Sequence, residues 1–135
     1  MTVLLNKSAT KNRILEKIRM MEVKSKPGDH IFIYFSGHGT SNRASGFSAL
    51  PHTSGAFVPY DFKFSSNDDD MLKTLLVGQW DLLPLLKKLD QGKRQTFVVN
   101  DSCYSGNSVL GSYLHNNLKT RYLDIPWNNY SEPVN

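Results

Sequence analysis

Two short polar segments of this sequence contain the residue types needed for nucleophilic catalysis. His38 lies between two glycines in the segment 36–40, and Cys103 lies in the segment 100–106. A cysteine thiol has an ordinary pKa of ~8.5, so at neutral pH it needs a nearby base or positive charge before it attacks a carbonyl. Histidine is suited to that role because its ordinary pKa of ~6.5 is close to physiological pH. The two segments therefore predict a base and a nucleophile.

The chemistry that such a pair performs is acyl transfer. We expect His38 to take the thiol proton while Cys103 attacks the carbonyl and forms an acyl-enzyme, which water then hydrolyses. The backbone N–H groups of Gly39 and Cys103 are candidate donors for the oxyanion. Each residue also has a simpler interpretation, since a histidine in a glycine loop can serve as a hydrogen-bonding residue and a lone cysteine is often a buried core thiol.

Each polar segment follows a short apolar run that predicts a strand. The runs are 31–35 and 96–99, and neither alternates apolar with polar residues, which is typical of strands buried on both faces in a parallel sheet. His38 and Cys103 are 103 − 38 = 65 residues apart. They can meet only if the two strands are close neighbours and parallel, joined by a crossover that contains a helix. Sites in such sheets form beyond the carboxyl ends of the strands.

The remaining pattern supplies the helices that this arrangement needs. Ser8 or Thr10 can cap a first helix, whose apolar residues recur at three-to-four spacing until the turn at 26–29. A second helix is predicted from about Gln79 to Leu89, with Pro84 in its first turns, where proline is tolerated best. Segments 41–56 and 65–70 read as loops, 57–62 as a short extended piece, and the chain past 111 as irregular. The order predicts an α/β sandwich with a mostly parallel sheet.

The composition is typical of a globular protein and excludes several other classes. A length of 135 residues, 39% of them hydrophobic and 21% charged, suits one globular domain. The sequence has no run of ~18 apolar residues that would predict a membrane span. Its N-terminal apolar run is too short for a signal peptide, which predicts a cytosolic protein.

The net charge of +4 comes from scattered residues and does not indicate nucleic-acid binding. One cysteine excludes an intrachain disulfide and a multi-cysteine zinc site. Glycine-rich nucleotide-binding motifs are absent.

The two polar segments resemble a known pair of motifs. Residues 34–40 (YFSGHGT) are similar to the histidine motif of metacaspases and related bacterial caspase homologues, and residues 100–106 (NDSCYSG) resemble their cysteine motif, in the same order. Weaker matches occur at 26–29, 58–62 and 121–123, so the resemblance covers about 4–123. It implies a caspase–haemoglobinase-like three-layer α/β sandwich with a mostly parallel sheet. It divides the chain into a catalytic domain at 1–124 and an irregular tail at 125–135.

The resemblance also implies an activity and a specificity. Metacaspases are cysteine endopeptidases with a histidine–cysteine dyad, here His38 and Cys103, and they cleave after arginine or lysine. Asp101 matches the residue that makes their S1 pocket acidic, where a carboxylate would pair with the substrate's guanidinium or ammonium group. Ser36 is expected to line the same pocket. The alternative for Asp101 is a structural role, capping the turn through an Asx hydrogen bond.

Two departures from the family pattern concern the ends of the domain. The family's opening strand and loop precede the region that matches 4–6, and its small-subunit portion follows the region that ends at Leu123. We therefore expect a large-subunit core, a partial domain that self-associates or needs a small-subunit partner. An alternative function follows, a non-catalytic caspase-like module whose exposed sheet edges pair with another chain.

A third departure concerns calcium. Many metacaspases bind calcium through acidic residues after the histidine loop and near the following helix. Segment 41–56 contains no Asp or Glu, and Val77, Gly78 and Gln79 occupy positions where acidic residues are expected. The acidic run 68–70 offers oxygen ligands for a hard cation, but it also fits a solvated loop. We predict that the chain requires no cofactor and has no assigned metal ligands; calcium binding stays open as an alternative, although most of the family's site is absent.

Overall fold

The computed structural model describes residues 1–42, 49–52 and 54–102. The strands are His30–Gly37 (β1), Gly39–Ser41 (β2), Gly55–Phe57 (β3), Leu76–Val77 (β4) and Gln95–Ser102 (β5), and the helices are Lys11–Lys24 (α1), Asp68–Thr74 (α2) and Leu83–Gln91 (α3). A 3₁₀ turn at Asn6–Ser8 precedes α1, and a π-helical turn at Gly78–Leu82 leads into α3. Within these described ranges, no helix is long and apolar enough to cross a membrane.

Helix α1 and the turn after it confirm the sequence prediction. The Thr10 side chain accepts the N–H of Arg13 as an N-cap, which satisfies one of the unpaired donors of the first turn. Gly28 has a φ of 92°, a conformation that glycine adopts without strain. Its N–H donates to the carbonyl of Lys93 at 2.7 Å. The turn therefore fixes the start of β1 beside the start of β5.

β1 and β5 are parallel neighbours, as predicted. Their register runs from His30 beside Gln95 to Gly37 beside Ser102. The connection between them contains α3, in which Pro84 occupies the first turn. The predicted second helix is thus confirmed. The π-helical turn forms its start, and it ends at Gln91, two residues later than predicted.

One face of this two-stranded sheet packs against α1 and α3. Ile31 is buried, and Ile33, Phe35 and Val98 are partly buried on this face. They contact a core made of apolar residues from both helices and from the crossover: Leu15, Ile18, Phe57, Leu76, Leu82, Leu86 and Leu89. The ring centroids of Phe35 and Phe57 are 4.0 Å apart. Burial of these side chains holds the two strands and two helices together.

The opposite face of the sheet is exposed. Phe32 retains 64% of its accessible surface, and Tyr34, Phe97 and Val99 are also exposed. The prediction that both strands are buried on both faces is therefore wrong for the part of the chain that the structure describes. Side chains alternate between the faces, and the described helices cover only one of them. The coarser prediction, an α/β fold with a parallel sheet, is confirmed.

A second, small sheet was not predicted. Its strand order is β2–β3–β4, and both pairings are antiparallel. Ala56 and Val77 of this sheet form a separate apolar cluster with Leu50 and Leu75. Strands of two or three residues are too short to show a periodic pattern, so 41–56 read as a loop although both of its ends lie in strands.

The acidic segment 65–70 was also predicted as a loop, and this is wrong for its last residues. Helix α2 begins at Asp68, and the side chain of Asn67 caps it by accepting the N–H of Asp69 at 2.9 Å. Carboxylates in the first turn of a helix interact favourably with its dipole. The acidic run therefore starts a helix.

Candidate active site

The carboxyl ends of β1 and β5 bring the two sequence motifs together. The ladder between the strands ends with Gly37 beside Ser102, and neighbouring strands lie about 4.8 Å apart. His38 follows Gly37 and is exposed. Cys103 follows Ser102 in the sequence and lies outside the described residues. The residues that directly precede the predicted base and nucleophile are thus partners on adjacent strands.

The backbone at His38 fixes the direction of the next peptide group. The N–H of Val58 donates to the carbonyl of His38 at 2.9 Å, and Gly39 lies opposite Phe57 in the antiparallel pair. In such pairs, hydrogen-bonded and non-hydrogen-bonded positions alternate. Gly39 therefore occupies a non-hydrogen-bonded position, and its N–H points away from β3. The other candidate oxyanion donor, the N–H of Cys103, is outside the described part.

The two residues predicted to line the S1 pocket are neighbours. Ser36 on β1 lies beside Asp101 on β5 in the register, and both are exposed. The hydroxyl of Tyr34 donates to Oδ2 of Asp101 at 3.4 Å, a long hydrogen bond. The structure thus places an acidic group, two hydroxyls and the His38 backbone at one end of the exposed face. The alternative role of Asp101, capping the following turn, involves residues outside the description.

Sequence reasoning missed a buried polar pair on the other face of β5. Asn100 and Ser102 are both buried, and the hydroxyl of Ser102 donates to Oδ1 of Asn100 at 2.7 Å. Buried polar groups need such partners because an unmade hydrogen bond is costly there. The signal was available, since alternation along a strand puts Asn100 and Ser102 opposite Asp101. This pair secures the strand end that precedes Cys103.

The acidic run of α2 is separate from this site. Asp70 forms an exposed ion pair with Lys73 at 3.1 Å. Among the residues that the structure describes, no group of three or more His, Cys, Asp or Glu side chains could hold a metal ion. The three carboxylates of the acidic run lie in the first turn of α2 and do not converge on a common point.

Comparison with known proteins identifies the family. A family model described as "Metacaspase, peptidase C14 domain" matches residues 2–110. The chain is 30% identical over 112 residues to metacaspase-1 of Candida albicans, and 34% identical over 102 residues to metacaspase-3 of Trypanosoma cruzi. It is 29% identical over 110 residues to metacaspase-1 of Plasmodium falciparum.

These alignments cover 78%, 74% and 80% of this chain but only 23%, 25% and 16% of the relatives. The chain therefore spans about a quarter or less of the curated relatives it matches. No solved structure matches the chain significantly. Because the family model covers most of the chain, including both motifs, this chain belongs to the metacaspase family.

Proposed function

We propose that this chain is the catalytic part of a cysteine endopeptidase in which His38 and Cys103 form the dyad. One observation carries the proposal: the parallel ladder ends with Gly37 beside Ser102, one residue before each member of the pair. In a parallel sheet, chain segments that leave adjacent strands start on the same edge. The register therefore supports a base and a nucleophile within reach of one substrate.

The proposed reaction is acyl transfer through a thioester. His38 takes the proton of the Cys103 thiol, and the sulfur attacks the scissile carbonyl carbon. The N–H groups of Gly39 and Cys103 stabilise the negative charge on the carbonyl oxygen. His38 then returns the proton to the leaving amine, and water hydrolyses the thioester by the same route. The direction of the Gly39 N–H, away from β3, supports its part in this scheme.

The specificity belongs to the same proposal. Asp101 and Ser36 are neighbours on the exposed face beside the strand ends. A carboxylate flanked by hydroxyl groups suits a guanidinium or an ammonium group, which donates charge-assisted hydrogen bonds. The substrate class is therefore a peptide or protein with arginine or lysine at P1. We also propose that the complete catalytic domain is a three-layer sandwich, in which a third layer covers the exposed face of this sheet.

A fluorogenic peptide with arginine at P1 tests the activity. We expect wild-type turnover that is lost in Cys103→Ala and in His38→Ala. Iodoacetamide gives a second readout, because a thiol paired with a base reacts well below pH 8 and a core thiol does not. Turnover that survives in Cys103→Ala would refute the dyad, and so would an alkylation rate unchanged by His38→Ala.

The exposed apolar face favours a second candidate function. Phe32, Tyr34, Phe97 and Val99 present aromatic and branched side chains to solvent, and contiguous apolar patches commonly mark interaction sites. The chain would then be a non-catalytic caspase-like module that binds a small-subunit partner or a second copy through this face and the strand edges. Size-exclusion chromatography with light scattering separates the two functions, since an active monomer contradicts this one.

A further inference from the structure

A lysine lies at the centre of a polar network away from the strand ends. Lys11 is the first residue of α1, and its backbone N–H donates to Oδ1 of Asp61 at 2.9 Å. Its Nζ lies 3.1 Å from Oδ2 of Asp81 and 3.5 Å from the carbonyl oxygen of Leu72. The side chains of Lys11 and Asp81 are only 15% and 21% exposed. This is a shielded ion pair.

The same carboxylate organises the turn that begins the helical segment 78–91. Oδ2 of Asp81 accepts the N–H of Val77 at 2.7 Å. The N–H of Gln79 donates to the hydroxyl of Ser54 at 2.9 Å, and that hydroxyl donates to the carbonyl of Gly55 at 2.9 Å. Lys11 and Asp81 therefore join the start of α1, the end of β4 and the start of the π-helical turn.

This donor set does not fit calcium, although the family resemblance implies a site near this helix. Calcium takes six to eight oxygen ligands, several of them usually carboxylates. Asp81 supplies one carboxylate, and Asp61, which accepts the Lys11 backbone N–H, supplies at most a second. Gly78 and Gln79 supply none, and segment 41–56 has no Asp or Glu at all. The Lys11 ammonium, 3.1 Å from the Asp81 carboxylate, would also repel a divalent cation. The charge of Asp81 is therefore already neutralised by a residue of the same chain.

We propose that the ammonium of Lys11 takes the structural role of a bound cation at this turn, so that the folded chain does not depend on calcium. The ammonium neutralises Asp81 in a shielded place, where leaving one charge unpaired is costly. It also connects α1 to the turn that starts α3, the two helices that cover the sheet. The inference concerns folding and does not rest on the proposed peptidase activity.

Thermal unfolding of the chain in excess EDTA and in excess calcium chloride tests this directly. We expect the same Tm in both solutions. Lys11→Met should lower the Tm by about 5 °C or more, and Lys11→Arg should keep most of the wild-type value. Lys88→Met is the matched control, because Lys88 pairs with Glu22 at the same 3.1 Å but is 63% exposed. It should lower the Tm by about 2 °C or less.

Three results would overturn the proposal. A wild-type Tm that rises with calcium concentration would show that the folded state binds the ion. If the Tm of Lys11→Met is no lower than the Tm of Lys88→Met, the shielded ion pair contributes no more stability than the exposed one. If Lys11→Met fails to fold, Lys11→Arg decides: a folded arginine variant supports the role of the positive charge, and an unfolded one contradicts it. Adding Asp81→Asn to Lys11→Met should restore part of the lost stability.

Discussion

Replacing Asp101 by asparagine tests the proposed specificity most sharply. The side chain is exposed, and its contact with the Tyr34 hydroxyl is long, at 3.4 Å. The free energy of unfolding should therefore change by no more than about 0.5 kcal/mol. A charge-assisted hydrogen bond to a substrate cation is worth about 1.5–3 kcal/mol. Since each ~1.4 kcal/mol is a factor of ten in rate, kcat/KM for an arginine substrate should fall about 10- to 150-fold.

The assay compares two fluorogenic peptides that differ only at P1, one with arginine and one with an uncharged residue of similar length. Asp101→Asn should lose activity on the first and keep its activity on the second. Asp90→Asn is the matched control, because it removes the same charge from an exposed position at the end of α3. An unchanged kcat/KM for the arginine peptide, or an equal loss on both peptides, would refute the reasoning.

Two further pairs of substitutions test the packing around the site. Ser102→Ala removes the 2.7 Å hydrogen bond to buried Asn100, so we expect a loss of about 1–3 kcal/mol in unfolding free energy together with lower kcat/KM. Ser36→Ala, at an exposed position, should change stability by less than about 0.5 kcal/mol. Phe57→Ala should cost about 3–5 kcal/mol in a urea titration, because Phe57 is only 2% exposed. Phe32→Ala, on the exposed face, should cost far less.

Each comparison has an outcome that contradicts it. If Ser36→Ala destabilises the chain as much as Ser102→Ala does, the two faces of the sheet are not as different as their burial indicates. If Phe32→Ala costs as much as Phe57→Ala, another part of the protein covers the exposed face in solution. That result would favour the third layer or the partner chain.

The sequence predicted the parts of the fold that carry strong local signals. The cap at Thr10, the glycine turn at Gly28 and the two apolar runs located α1, β1 and β5. The separation of the two motifs then required parallel neighbouring strands. The parallel register of β1 and β5, which begins with His30 beside Gln95, confirms this. The neighbouring positions of Ser36 and Asp101 follow from that register. The dyad itself stays a prediction, because Cys103 lies outside the described residues.

Other features could not be predicted because their causes are not local. A run such as 31–35 looks the same whether one face or both are covered, and only tertiary packing decides which. The cluster 68–70 looks like a solvated loop until Asn67 is seen to cap it. The ion pair of Lys11 with Asp81 joins residues 70 positions apart, since 81 − 11 = 70. No periodic pattern indicates such a contact.

The uniform register of β1 and β5 also governs when the site can exist. Every pair in the ladder joins residues 65 positions apart, as His30 and Gln95 do, since 95 − 30 = 65. Contacts of such high contact order form slowly, because the entropy of closing the intervening loop is lost before the contacts are made. During synthesis from the N-terminus, the histidine motif emerges long before the strand that aligns it. A nascent chain therefore carries His38 without its partner strand, and the edge at which the proposed dyad would assemble arises only when the crossover closes.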